Sequence, residues 1–217
     1  MEAEIKRDAP LDPDVALFVR KQAVRTLSKV RVVSVPGPNR TVAARPGVTL
    51  ARIAVGDPAF LYPAPTEVTD AVVGLAGLHL DGNLNFDVLL DAIAAGISRF
   101  GGAKVAAGTP GTPDYRKMIP WKKTAAQLSA ALNGLRTSPD RYSAANAHRT
   151  AIGNLVATCS TYVLTPIENE KEGGTAAPVN QTMVDDYRKQ NPRKSDLLVS
   201  NDPDSKVSLP TQQAAGR

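Results

Sequence analysis

The chain has 217 residues, 42% of them hydrophobic and 22% charged, with 26 Lys and Arg against 21 Asp and Glu for a formal charge of +5. That length holds one sizeable core with extended ends, and no stretch reaches the roughly 18 consecutive apolar residues of a membrane-spanning helix. A single Cys excludes an intramolecular disulfide framework, and the opening Met-Glu-Ala-Glu-Ile-Lys-Arg lacks the apolar run of a secretory signal; the expectation is a protein made in a reducing compartment, with no membrane partner.

In chain order, residues 1–12 are polar and proline-interrupted and read as an N-terminal arm. Asp12-Pro13-Asp14 is a helix start: Asp12 as N-cap, Pro13 in the first turn, and Asp14 as negative charge near the positive end of the helix. Val15, Val19, Ala23, Leu27 and Val30 then share one face, predicted to be the buried one. Lys21, Arg25 and Lys29 form an i, i+4 stripe on the other side, either a solvated face or a polyanion contact. From Arg31 to Val55, β-branched runs alternate with turn residues, as in Arg31-Val-Val-Ser-Val35, Pro36-Gly-Pro-Asn39 and Val48-Thr-Leu50, which predicts a β-hairpin or flap over 31–55. Gly56 to Pro65 reads as a linker.

Thr66 is the expected cap of a helix from Glu67 to about Leu80, burying Val68, Val72 and Leu75, and Asp81-Gly82-Asn83 breaks the chain. Beyond Asn85, the residues Phe86, Leu89, Leu90, Ile93, Ala94, Ile97 and Phe100 alternate spacings of three and four, the pattern of a core helix, with Gly101-Gly102 as its stop. Ala103 to Pro120 reads as a Gly/Pro/Thr loop of a length that is usually functional. Pro120 opens a helix carrying Trp121, Ala125, Leu128, Leu132 and Leu135 on one face. Ser138-Pro139 starts another, expected to run to about Leu164 and to be stopped by Pro166. Residues 166–217 are read as a C-terminal arm: a polar linker, a short docking helix at about 179–190 presenting Met183, Val184 and Tyr187, and a tail from Asn191 onward too polar to fold alone. Such a tail is ordered only against something else, for instance another copy. The fold class is therefore all-α: a helical core of about five helices over 13–165, a small flap, and extended arms at both ends.

Charge is distributed in blocks. Between Arg99 and Arg149 lie Arg99, Lys104, Arg116, Lys117, Lys122, Lys123, Arg136, Arg141 and Arg149 against only Asp114 and Asp140. The preceding stretch from Ile53 to Ser98 has no Lys or Arg and carries Asp57, Glu67, Asp70, Asp81, Asp87 and Asp91. A basic block attracts a polyanion, and an acidic one attracts the basic surface of a neighbouring copy.

Positioned acids, bases and nucleophiles are few. His79 and His148 are the only histidines, and Cys159 lies in an apolar stripe as a buried, inert thiol. Asp81-Gly-Asn83-Leu-Asn85 fails as a calcium loop because Ala92 stands where the bidentate Glu belongs. Asp87 and Asp91 fall on the exposed side of their helix, solvated or meeting a neighbour's cations. No cofactor, metal or small-molecule substrate is implied, and the expectation is a protein that is not an enzyme; a pocket placing His79 or His148 beside an acid would argue otherwise. Nucleic-acid binding has more to stand on. Tyr115-Arg116-Lys117-Met-Ile-Pro-Trp121-Lys122-Lys123 interleaves four cations with two aromatics, the combination that neutralises phosphate and stacks single-stranded bases. The alternative for Trp121 is simple core packing. Arg99, Arg136, Arg141 and Arg149 flank this segment at helix ends and early turns, and the expectation is that they converge with it on one groove.

A compact helical core, a basic segment over Tyr115 to Arg149, a flap and two arms, one with a docking helix, together resemble the coat proteins of filamentous, flexuous-type plant and fungal RNA viruses. The resemblance covers the order of features over roughly residues 13 to 190. It implies a helical virion in which many copies hold one RNA strand in a basic groove and clasp each other through their terminal arms. On that reading Arg99, Arg116, Lys117, Lys122, Lys123, Arg136, Arg141 and Arg149 neutralise phosphate without reading sequence, and Tyr115 or Trp121 stacks a base. The protein would reside in the virion, and in the host cytoplasm during assembly. The alternative is a phage tail or connector-type subunit that self-associates without touching nucleic acid.

Overall fold

A computed structural model describes residues 12–33, 45–60, 64–79, 83–108, 115–137, 146–171 and 178–208. They form an all-α fold with helices α1 (Pro13–Leu27), α2 (Pro46–Val55), α3 (Pro65–Ala76), α4 (Phe86–Ala107), α5 (Tyr115–Thr137), α6 (Asn146–Cys159), α7 (Thr165–Glu168) and α8 (Gln181–Gln190). Extended pairing among the described residues is limited to two isolated antiparallel bridges, Leu84 with Val199 and Leu197 with Lys206.

The organising element is α4, which packs against α2, α3, α6 and α8. Every residue from Val88 to Ser98 is buried, as expected of a helix apolar on all sides at the centre of a bundle. The Gly101-Gly102 pair does not stop it. A Cβ at Gly101 would lie 3.0 Å from Val163 and 3.3 Å from Gln181 Cβ, so this glycine permits close helix approach, and the helix continues to Ala107.

Residues 46–55, expected in the flap, are helical instead, and the rest of the flap, 34–44, lies outside the described residues. Pro46 starts α2 in the first turn, where its missing N–H has no intrahelical partner to lose. Val48, Leu50, Ala51, Ile53, Ala54 and Val55 are all buried, and that burial outweighs the modest helix cost of β-branching. Gly56, at φ +82°, closes the helix in the left-handed conformation.

Three further expectations are corrected. Asp12 does cap α1, accepting from Asp14 N at 2.9 Å and Val15 N at 3.4 Å. Yet the helix is turned over: Val15, Phe18 and Val19 are exposed while Val24 is buried. Its orientation is set by Arg20, whose Nε and Nη2 donate at 2.6 and 3.0 Å to Glu67, a carboxylate only 1% exposed. Glu67 also accepts from Ala64 N at 2.6 Å, so the cap of α3 is Ala64 with Pro65 following, one turn-half earlier than Thr66. Nor does Pro166 terminate the sixth helix outright. Having no N–H, Pro166 leaves the Tyr162 carbonyl unpaired four residues back; the chain forms a π turn over Ser160–Leu164 and continues as α7. The freed carbonyl accepts from Asn180 N at 2.8 Å, which seats the start of the C-terminal segment. The beginning of that helix at Pro139 falls outside the described residues.

The segment 178–208 is ordered on its own chain. Val184 is buried and Tyr187 half-buried, whereas Met183 is exposed. Beyond α8, Leu198 and Val207 are fully buried in the common core, each stabilising the closed state by about 1.5–3 kcal/mol. Asn85 N donates to Leu198 O at 2.9 Å and Ser200 N to Asn83 O at 2.8 Å, while Arg45 clamps Asp202 at 2.6 and 3.1 Å. Long-range polar contacts thus supply the order that the composition of this stretch does not.

Candidate nucleic-acid interface

Trp121 sits in the second turn of α5 directly after Pro120, whose carbonyl accepts from the Thr124 hydroxyl at 2.9 Å. Its ring packs against Phe100 with centroids 5.4 Å apart and planes at 45°, an edge-tilted aromatic contact. The indole is half-buried and also lines a cleft of about 330 Å³ with Lys21, Pro65, Thr66, Phe100 and Pro120. Trp121 therefore both packs on the core and reaches solvent. Lys117 is exposed one helical turn before it on the same side of α5.

Two of the expected phosphate contacts are occupied elsewhere. Arg99 Nη1 donates to Ile53 O at 3.0 Å and Ala54 O at 3.4 Å, capping the carbonyl end of α2, where the helix dipole favours a cation. A Cβ on Gly56 would meet Arg99 Nη1 at 2.3 Å, so that glycine provides room for the guanidinium as well as the turn. Burial lowers the Arg99 pKa from its ordinary value. Lys122 Nζ donates to Glu170 O at 2.8 Å, and Lys104 Nζ reaches the buried Glu170 carboxylate at 3.0 Å; these two lysines close the junction of α4, α5 and the end of α7.

Lys117, Lys123, Arg136 and Arg149 are exposed and have no ion pair among the described residues. Arg136 lies in the last turn of α5, about 28 Å along the axis from Lys117 at 1.5 Å per residue. Arg149 lies on α6. The backbone of Tyr115 and Arg116 belongs to α5, but their side chains, and all of Arg141, lie outside the described residues. Arg99 and Lys122 are thus taken from the groove expected of these cations, being bound to backbone carbonyls within the chain, while Lys117, Lys123, Arg136 and Arg149 are spaced along α5 and α6.

The acidic block, expected to meet another copy, is largely engaged within the chain. Besides Glu67 with Arg20, Asp57 holds Arg52 at 2.6 Å. Asp91, 8% exposed, accepts from Arg188 Nε at 2.7 Å with Arg193 Nη1 at 3.8 Å, and Asp87 accepts from Lys194 N. Neither Asp87 nor Asp91 is on a free face; both receive the C-terminal segment.

His79 is exposed and anchored through its backbone N to Arg31 O at 2.7 Å. His148 packs on Phe86 with centroids at 4.3 Å and lines a cleft shared with Asp87 and Asp91. No hydrogen bond joins it to either carboxylate among the described residues; Asp91 accepts from Arg188 and Asp87 from Lys194 N instead. Cys159 is fully buried, and its thiol is pushed up to about 12 by that burial. Among the described residues no group of three or more His, Cys, Asp or Glu could hold a metal ion, and no helix is long and apolar enough to cross a membrane. Lys21 and Thr66 stand out in the sequence for other reasons, a charged stripe and a helix cap; that they meet Trp121 in one cleft escapes sequence reasoning because they come from α1 and α3, far from it in the chain.

No family model, curated protein or solved structure matches the chain.

Proposed function

We propose that this chain is a coat subunit that assembles in many copies along single-stranded RNA as a helical filament, without sequence specificity. The observation that carries the reading is the placement of the chain's only tryptophan, which lines a cleft with Lys21 one turn from the exposed Lys117. Trp121 stacks a base there, and Lys21, Lys117, Lys123, Arg136 and Arg149, with Tyr115, Arg116 and Arg141, supply the stacking and phosphate contacts of a strand lying along α5 and α6. Arg99 and Lys122 are structural and leave the set. Copies meet through the N-terminal arm and the outward apolar face of α1. Because the protein has a single tryptophan, its fluorescence reports on the site directly. Titration with a short oligouridylate should quench it, and the affinity should fall steeply between 50 and 200 mM salt, with a slope set by the number of phosphates neutralised. Unchanged fluorescence together with no RNA binding at low salt refutes the proposal.

A second reading, a phage tail or connector-type subunit that self-associates without nucleic acid, is favoured by the engagement of Arg99 and Lys122 within the chain, which takes two cations from the expected groove; the α1 face of Val15, Phe18 and Val19, 47%, 62% and 51% exposed, serves association in both readings. Charge reversal at Lys117 and Lys123 separates the two readings. Filaments that form equally well and never contain nucleic acid support the second; loss of RNA packaging with assembly retained supports the first.

A further inference from the structure

A cleft of about 610 Å³ lies where the end of α8 and the turn after it cross the start of α4 and the first turns of α6. Its volume is in the range of ligand sites, which span roughly 300–1,000 Å³. The RNA reading does not use it.

Three rings line this cleft. Phe86 and His148 are in contact with each other, and Tyr187 is held by its hydroxyl, which donates to Ala151 O at 3.3 Å. Burial raises the Tyr187 pKa, so the phenol keeps its proton and its anchoring bond at neutral pH. Leu84, Leu90 and Pro192 add apolar wall. The polar groups are unequal in availability. Arg188 is bound to Asp91 and is near Asp185; Asn85 is spent on Leu197 O and the Ser200 hydroxyl. The Asp87 carboxylate uses Oδ2 for Lys194 N, which leaves Oδ1 as an acceptor, and Asn191 uses its Nδ2 on Tyr187 O, leaving its carbonyl oxygen. Lys194 is exposed at the rim, and its ammonium has no partner among the described residues.

Planar wall, acceptor oxygens at its edge and one cation at the mouth describe a complementary molecule: a flat heteroaromatic ring with N–H donors on its edge and an anionic group a few ångströms away. We infer that this cleft, built from Phe86, His148, Tyr187, Asp87, Asn191 and Lys194, is a nucleotide-binding site separate from the Trp121 cleft. The ring lies against the aromatic wall, its exocyclic amino group donates to Asp87 Oδ1 or the Asn191 carbonyl, and the phosphate meets Lys194. The same chemistry is offered by a free mononucleotide and by one nucleotide of a strand, and the experiment separates the two sources.

The test is saturation-transfer NMR and calorimetry on the full chain with AMP, GMP, CMP and UMP, their nucleosides, ribose 5-phosphate and a short oligoribonucleotide. Mononucleotides should bind, with the amino-bearing bases ahead of UMP, and ribose 5-phosphate should not. Lys194→Gln keeps the backbone N–H that Asp87 accepts; it should weaken mononucleotides by about tenfold or more, the worth of one charge-assisted contact, and leave nucleosides unchanged. His148→Ala should weaken both. Trp121→Phe should leave mononucleotide binding intact, which keeps this site distinct from the RNA reading. If the oligoribonucleotide displaces a bound mononucleotide and Lys194→Gln weakens it as well, the source is a strand; if it does not compete, the source is the free nucleotide. Absence of saturation transfer at millimolar mononucleotide, or equal affinity in the parent and both cleft variants, overturns the inference.

Discussion

Gly96 and Gly102 lie six residues apart on α4, and replacing each by Ala separates packing from helix propensity within one element. A Cβ on Gly96 would stand 2.3 Å from Val72 Cγ2 and 3.4 Å from Ala54 Cβ; one on Gly102 meets nothing within 4 Å. Val72 is 1% exposed and β-branched, so its methyl cannot swing clear without leaving its preferred rotamer. Ala in place of Gly within a helix gains about 0.8–1.0 kcal/mol, and overpacking a filled site costs about 1–3 kcal/mol. Gly102→Ala should therefore stabilise by nearly the full propensity gain. Gly96→Ala should range from neutral to about 2 kcal/mol destabilised, the two variants differing by about 1–3 kcal/mol. At roughly 2–4 °C per kcal/mol for a chain of this size, thermal melts followed by circular dichroism resolve that difference, and urea titration checks it. A third variant isolates the cause: in a Val72→Ala background, where Cγ2 is gone, Gly96→Ala should become stabilising. If Gly96→Ala melts together with Gly102→Ala in the parent background, the close crossing of α3 and α4 is wrong.

Glu67→Gln should loosen α1 by about 1–2 kcal/mol, because it removes the charge from the buried acceptor of Arg20 while the guanidinium, a third exposed, stays partly hydrated; hydrogen exchange of α1 amides should speed up while that of α4 does not, and exchange unchanged in both helices would contradict the assignment. Asp70 has a carboxyl held above its ordinary pKa, chiefly by burial and against the pull of Arg25, so its contribution to stability is present at low pH and is lost as pH rises from about 4 through the raised folded value. Asp70→Asn should then stabilise at pH 7 and be neutral below about pH 3, measured by urea unfolding at both. Asp202 has the opposite sign: the Arg45 hydrogen bond holds its carboxyl below the ordinary range, and its contribution, present above about pH 4, should fade as acid titrates the folded carboxylate, removing one fastening of residues 198–207. Cys159 should resist thiol reagents in the native state and react at the rate of unfolding, given a thiol that is fully buried and pushed up to about 12; rapid modification under native conditions would place it elsewhere.

The helices were legible where periodicity alone determines burial. The unbroken spacing from Phe86 to Phe100 found α4, and Met183, Val184 and Tyr187 marked α8. Reading failed where the deciding partner is far away. Val15 and Val19 look like the inner face of α1, but the face is chosen by Arg20 and a glutamate 47 residues on. Asp87 and Asp91 look solvated until Arg188, Arg193 and Lys194 are folded onto them. Val48-Thr-Leu50 reads as strand because β-branching is a local property, whereas the burial of α2 at every position but Thr49 and Arg52 is a property of the assembled core. Glycine carries the same ambiguity: Gly101 signals a stop to local rules and a close approach to the packed structure. For the candidate site, composition identified Trp121 and the cations around it, and it had no means of distinguishing Lys117, which is exposed, from Lys122, which is tied to Glu170 O.

The burial of Asp91 beneath Arg188 also has a consequence for biosynthesis. Its principal counter-ion lies 97 positions later in the chain, an interval that takes roughly 5–20 s to translate at ribosomal speeds of about 5–20 residues per second. During that delay the nascent α4 has an unneutralised carboxylate next to Leu90 and Phe86 and lacks the cover of Val184, Leu198 and Val207. This end of the bundle therefore closes only after residues 184–207 have been made.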